Sequence, residues 1–272
     1  MPPIQLKVEL DNAPDFADDV LNILNSVLAT RSTPVQAAKA LDSLCTEESD
    51  PTTFLALFCE LFHPLARQIA YDSQDQDLLA AVVQALDELP PRTVPFKAGP
   101  GETADHVGPL WENLRETVAA HFYDTFGDSD LPASGEEHRK QRKLNLNAFA
   151  ARVTSLLNLS TEMYFLWAMA DGLEGTMKFV WGAPDVINED PAAVDEYDIK
   201  AAAAWMIHAA HVFYGRDEEL WKERFAVFRD SEALDAHLRK EAADAYAAME
   251  TAETLARRQD IETDEGKNIW GL

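Results

Sequence analysis

The sequence predicts an all-α fold: a single globular bundle of about nine or ten helices, spanning residues 1–272 as one domain, with two largely buried helices at its centre. Three observations lead there. Apolar residues recur at steps of three and four in one segment after another, and no stretch alternates with the period of a strand over a useful length. Two stretches, Met163–Ala170 and Ala201–Gly215, carry no charged side chain on any face, so helices built from them meet other protein whichever way they turn. Prolines and small polar residues punctuate the chain about one helix length apart, as Thr33-Pro34 and Asp50-Pro51 do by placing a cap before a proline at the first helical position.

Taken in order, the first helix runs from Asp15 to Ala29, with Phe16, Val20, Ile23, Leu24, Val27 and Leu28 on one side and Asp18 and Asp19 in its first turn. The second extends from Thr33-Pro34 to about Leu44. The third goes from Pro51 to about Ala70, crowded with Phe54, Phe58, Leu61 and Phe62, and Pro64 is expected to kink or split it near His63. The fourth, Asp77–Leu89, stops at Pro90-Pro91. Between 90 and 108 the chain holds four prolines and three glycines, which predicts an irregular crossing loop. Pro109 opens a fifth helix through Trp111, Leu114, Val118, Phe122 and Phe126. His138–Lys143 (HRKQRK) is a basic island preceded by two acids, and it reads as a solvated helix start rather than an anion site.

Leu144–Glu174 is the organising stretch. Leu146, Phe149, Ala150, Val153, Leu156 and Leu157 share one helical face, and Asn145, Arg152 and Ser155 fall on the other. Ser160 is placed to cap the next helix, whose run Met163–Ala170 is apolar all round and ends at Asp171 and Glu174. A loop over 182–196 then leads to the charge-free helix of Trp205. Asp217–Phe228 follows with Leu220, Trp221, Phe225 and Phe228 on one side. The last helix, Ser231 to about Arg258, carries a seam of small residues that permits close helix approach, and 262–272 is expected to fray.

Composition narrows the function classes. Acidic residues outnumber basic ones by 48 to 23, for a formal charge of -25, and such a field repels nucleic-acid backbones and anionic membranes. Neither is expected as a partner. Cys45 and Cys59 have no CxxC spacing, the N-terminus lacks a signal-peptide core, and no apolar run approaches the roughly 18 residues of a membrane span, so a cytoplasmic protein with free thiols is expected. Glycine-rich phosphate loops, a GxSxG elbow and a Cys/His nucleophile pattern are missing, and no cofactor or metal is expected.

The blocks LNLNAFAAR (Leu144–Arg152), LWAMADGLE (Leu166–Glu174) and WKERF (Trp221–Phe225), in that order with an Ala/Trp-rich helix between the last two, resemble a fungal family classed as domain of unknown function 3632. The resemblance covers the C-terminal half most strongly. It implies an all-helical intracellular protein and supplies no catalytic residue.

Candidate chemistry is sparse. His208 and His211 stand one turn apart and could act as acid/base groups beside Asp171 or Glu174, although the plainer reading is a pair of core-edge histidines bonded to backbone. Two imidazoles without further ligands do not make a zinc site. Asp18-Asp19-Val20-Leu21-Asn22 resembles the aspartate-rich magnesium motif of terpene cyclases, but first-turn acids complementing the helix dipole account for it. Trp167, Trp205, Tyr164, Met163 and Phe213 could line an apolar ligand pocket, or be ordinary core. The leading expectation is a non-catalytic helical protein that binds a small apolar ligand or a protein partner. The alternative is an isomerase or cyclase of fungal secondary metabolism acting on an apolar substrate, with His208 or His211 as the acid/base.

Overall fold

A computed structural model describes residues 4–9, 13–48, 51–99, 102–108, 111, 135–174, 194–213 and 218–269. The fold class is all-α, as the periodicity predicts. The chain forms two compact units, Met1–Thr161 and Glu162–Leu272.

In the first unit the helices are α1 (Ala17–Leu28), α2 (Pro34–Glu47), α3 (Pro51–Ala66), α4 (Gln74–Asp87) and α5 (Glu136–Leu157). Local chemistry sets their starts. Thr33 accepts from the Gln36 amide at 3.2 Å while the Gln36 side chain accepts from the Thr33 amide at 2.9 Å, a reciprocal cap with Pro34 behind it. Ser73 caps α4 through the Asp75 amide. Pro64 falls in the last turn of α3, so the helix ends two residues later instead of splitting, because the missing N–H removes a bond where the ladder is already running out.

In the first unit the structure overturns the inside and outside faces that periodicity assigns to the Leu144 helix. Helix α5 is buried on every side from Leu144 to Thr154, Asn145 and Arg152 included, whereas Leu156, predicted for the core, is 42% exposed. The polar residues are inside because each holds something. Asn145 accepts from the Tyr71 amide at 3.0 Å and donates to the Arg67 carbonyl at 2.8 Å, fixing the α3–α4 turn. Gln76, fully buried, donates to the Ile69 carbonyl at 2.8 Å in the same turn. Arg152 pairs with Asp77 of α4 at 2.6 Å. A buried polar group that is hydrogen-bonded escapes most of its desolvation penalty, so the pattern rule that sends polar residues outward does not hold here. Around α5 the core is a relay of aromatic rings, Phe16–Phe54–Phe58–Phe62–Phe149, with Trp111 edge-on to Phe58 at 5.4 Å.

The expected crossing loop at 90–108 is instead a β-hairpin. Strand β1 (Arg92–Gly99) pairs antiparallel with β2 (Glu102–Gly108), Arg92 opposite Gly108 and Phe96 opposite Ala104. Pro95 hid it from pattern reading, yet in a two-stranded ribbon both strands are edges and an edge tolerates proline. Asp42 of α2, 1% exposed, gathers the hairpin's surroundings: it accepts from Trp111 Nε1 at 3.1 Å and pairs with Arg92 at 2.5 Å. The predicted helix from Pro109 to Phe126 lies outside the described residues apart from Trp111, as does all of the 182–196 loop before residue 194.

The second unit contains α6 (Glu162–Met169), a π-helical turn (Ala170–Glu174), α7 (Glu196–Ala209) continued by a 3-10 turn (Ala210–Val212), α8 (Glu218–Asp230) and α9 (Ala236–Ile269). Helix α6 starts at Glu162, so Thr161 and not Ser160 immediately precedes it; the Thr161 hydroxyl is buried against that of Thr154 at 2.8 Å. Helix α7 buries Ile199 and Ala201–Met206, and Asp195 caps it. Helix α6 buries Tyr164, Phe165, Ala168 and Met169 but leaves Met163 and Trp167 44% and 49% exposed, which corrects the expectation that all its sides meet protein. The seam on α9 buries Leu238, Ala242, Ala245, Met249 and Ala252. The same helix continues to Ile269, so most of the tail expected to fray has helical backbone.

Candidate functional site

The candidate site is built in the second unit where α7, α8 and α9 come together. Its first requirement is the π-turn. Gly172 carries no Cβ, and one placed there would lie 2.4 Å from the Asp198 carbonyl oxygen and 2.9 Å from Ala202 Cβ, so the turn and α7 approach as closely as only glycine permits. That approach sets the next two residues: Glu174 accepts from Trp221 Nε1 at 3.0 Å, and the Leu173 carbonyl accepts from Arg224 Nε at 2.9 Å. Helix α8 is thereby tied to the turn through Trp221 and Arg224.

Trp221 in turn joins a cluster of rings. Phe165 stacks on Phe213 with centroids 4.0 Å apart, stands edge-on to Trp221 at 5.2 Å and to Trp205 at 6.1 Å. One side of this cluster is open. Phe213 and Trp221, together with buried Met206, Met249 and Ala252, line a cavity of about 550 Å³. Such a volume and an apolar floor are those of a small-molecule site.

The cavity's other wall is charged. Lys222 Nζ donates to Glu253 Oε2 at 2.9 Å, lies 3.7 Å from Glu250 Oε1 and sits 5.3 Å from the Tyr246 ring centroid. The bond to Glu253 holds the Lys222 ammonium above its ordinary pKa, and the same bond, followed by the charges of Lys222 and Arg257, holds the Glu253 carboxyl below its own. Both groups are charged at neutral pH. Glu219 and Glu223, exposed on the first turns of α8, add carboxylates to the lining. Of the charged lining residues three are acidic and one is basic, so the mouth favours a cation.

The sequence-predicted residues divide. Phe213 lines the cavity, and Trp205 is fully buried one ring behind it. Tyr164 is 1% exposed with its ring edge-on to Trp167 at 5.7 Å, and neither they nor Met163 are among the described lining residues. His208 is half-buried on α7, His211 is exposed on the 3-10 turn, and Asp171 is exposed on the π-turn. None of these three lines the cavity; Glu174 does not line it either but orients Trp221, which does. Sequence reasoning missed Met206, Lys222, Tyr246, Met249 and Glu253. The last three sit on α9 at spacings of three and four, a signal legible as a helix face, of which only Met249 belonged to the packing seam read from sequence. Among the described residues no group of three or more His, Cys, Asp or Glu side chains is arranged to hold a metal ion, and no helix is long and apolar enough to cross a membrane.

The second unit thus presents an aromatic-floored, acid-rimmed cavity within an all-α fold class. The chain belongs to the family described as Protein of unknown function (DUF3632), whose model matches residues 60–260. All three blocks that carry the resemblance fall inside that match. No curated protein and no solved structure matches the chain.

Proposed function

We propose that this protein is a non-catalytic cytoplasmic binder of a small apolar molecule bearing a cationic or hydrogen-bond-donating end. The single observation that carries this reading is the cavity of about 550 Å³, whose floor is Met206, Phe213, Trp221 and Met249 and whose rim is Glu219, Glu223 and Glu253. An apolar body removes floor surface from water at about 25 cal/mol per Å², and the rim carboxylates give the polar end an orientation. Lys222 and Glu253 offset one another, and Glu219 and Glu223, with Glu250 beside Lys222, leave the rim acidic. The buried free thiols Cys45 and Cys59 fit a reducing compartment. The isomerase or cyclase reading has weaker support, since the acid/base residues it named stand outside the described lining.

The test is a titration of the protein with an arylalkylamine such as tryptamine and with the matched arylalkanoic acid, followed by calorimetry. The amine is expected to bind saturably and at least about tenfold more tightly than the acid, the worth of about 1.4 kcal/mol of charge complementarity. Ala226→Trp, which fills the cavity from a half-buried position, is expected to abolish the binding. Absence of saturable binding by either compound, or a preference for the acid, would overturn the proposal.

A further inference from the structure

A second pocket, in the first unit, brings two arginines together. It encloses about 460 Å³ between the α3–α4 turn and the first turns of α5, and the extended segment 4–9 contributes Glu9 to its lining. Two guanidinium groups line it, Arg67 and Arg142, 5% and 6% exposed in a protein with 48 acids and 23 basic residues. Buried arginines in such a chain are placed at a cost, and burial of a charge is sustained by a partner. The partner of Arg142 is Glu9, which meets Nη2 at 2.6 Å and is itself about a third exposed, while Arg142 Nε is buried without a hydrogen bond.

The amides in the lining are committed to the scaffold. Asn145 bonds the Tyr71 amide, the Arg67 carbonyl and the Gln141 amide, and Gln68 exchanges two bonds with the backbone of Lys7, at 2.9 and 2.7 Å, which anchors segment 4–9. Leu6, 1% exposed, adds an apolar anchor, and its backbone amide donates to Asn25 Oδ1 at 2.8 Å. Of the remaining lining groups Arg142 and His138 stand one helical turn apart on α5 with Arg67 behind them, and Asp72 adds a second carboxylate beside that of Glu9. A guanidinium offers a planar fork suited to two oxygens of one anion, and Glu9 engages only part of it.

We propose that this pocket is a site for a small anion, a carboxylate or a phosphate monoester, and that the Glu9 carboxylate stands in it as an internal competitor. The ligand takes the oxygen positions that Glu9 now supplies. The anchored segment limits how far Glu9 withdraws, so the wild-type protein binds weakly and loss of the Glu9 charge strengthens binding. The basic island read from sequence as a solvated helix start is thus only partly solvated: His138 is exposed and Arg142 is not.

The experiment titrates the full chain with inorganic phosphate and, separately, with acetate at low ionic strength, for wild type, Glu9→Gln, Arg142→Met and His138→Ala. Saturable binding of either probe is expected in Glu9→Gln, at least about fivefold tighter than in wild type, the upper end of what an ion pair with one partner at the surface is worth. The preferred probe identifies phosphate or carboxylate as the natural chemistry. His138→Ala, a substitution at an exposed position that leaves folding intact, is expected to weaken binding, and Arg142→Met to abolish it with far-UV circular dichroism unchanged. Should Arg142→Met fail to fold, the Glu9→Gln and His138→Ala comparison decides. No saturable binding of either probe to Glu9→Gln, or equal affinity in wild type and Glu9→Gln, overturns the proposal.

Discussion

Replacing Gly172 with alanine tests the contact on which the second unit's cavity depends. The new Cβ would sit 2.4 Å from the Asp198 oxygen, and ordinary contact begins near 3.4 Å, so the π-turn and α7 have to separate by about 1 Å at this point. Overpacking of this kind costs about 1–3 kcal/mol, against which alanine's lower backbone entropy in a helix returns up to about 1 kcal/mol. The displaced turn also carries Glu174 and Leu173 away from Trp221 and Arg224, two bonds of roughly 1 kcal/mol each. The net expectation is a loss of about 2–4 kcal/mol. Urea titration followed by tryptophan emission reports it well, since five of the six tryptophans lie beyond residue 161. With a slope of about 2 kcal/mol per M, the midpoint falls by about 1–2 M. Adding Ala202→Gly removes the milder clash only, because the tighter one is with backbone, so the double variant regains little. A midpoint equal to wild type in Gly172→Ala, or full recovery in the double variant, would refute the reasoning.

Three further outcomes follow from the coordinates. Asp42→Ala leaves Trp111 Nε1 buried without an acceptor and is expected to destabilise the first unit by about 1–3 kcal/mol, whereas Asp42→Asn keeps that acceptor and loses only the pair with 43%-exposed Arg92, for less than about 1 kcal/mol; thermal melts of the two variants check the order. Burial pushes the thiols of Cys45 and Cys59 up to about 12, so neither reacts with a disulfide reagent at pH 8 until denaturant is added, and prompt labelling of the folded protein would contradict their placement. Asp235 caps α9 through the Leu238 and His237 amides, at 2.9 and 2.8 Å, and these bonds hold its carboxyl below the ordinary 3.8. A depressed carboxyl stabilises the fold above the unfolded-state pKa and loses that contribution as pH falls below it. Asp235→Ala is therefore expected to cost about 0.5–1 kcal/mol at pH 7, at the low end because the site is exposed, and the gap in melting temperature should close towards pH 3.

The sequence determined the helical class, the Thr33 cap with Pro34 behind it and the burial of the Trp205 helix, because these depend on spacing, capping chemistry and the absence of charge within one segment. Only the tertiary structure decided which long helix is central. Periodicity sent Asn145 and Arg152 outward and Leu156 inward, and the fold did the opposite, since Tyr71, Arg67 and Asp77, about 75 residues earlier in the chain, supply the partners that make polar burial tolerable. The hairpin at 92–108 was hidden for a related reason: a two-stranded ribbon is all edge, so Pro95 does not forbid it. Neither pocket was legible as a pocket. Phe213 announced one and the HRKQRK island touched the other, but a cavity is the space that residues distant in sequence leave between them. Lys222 with Glu253, and Arg142 with Glu9, come together only when the chain has folded.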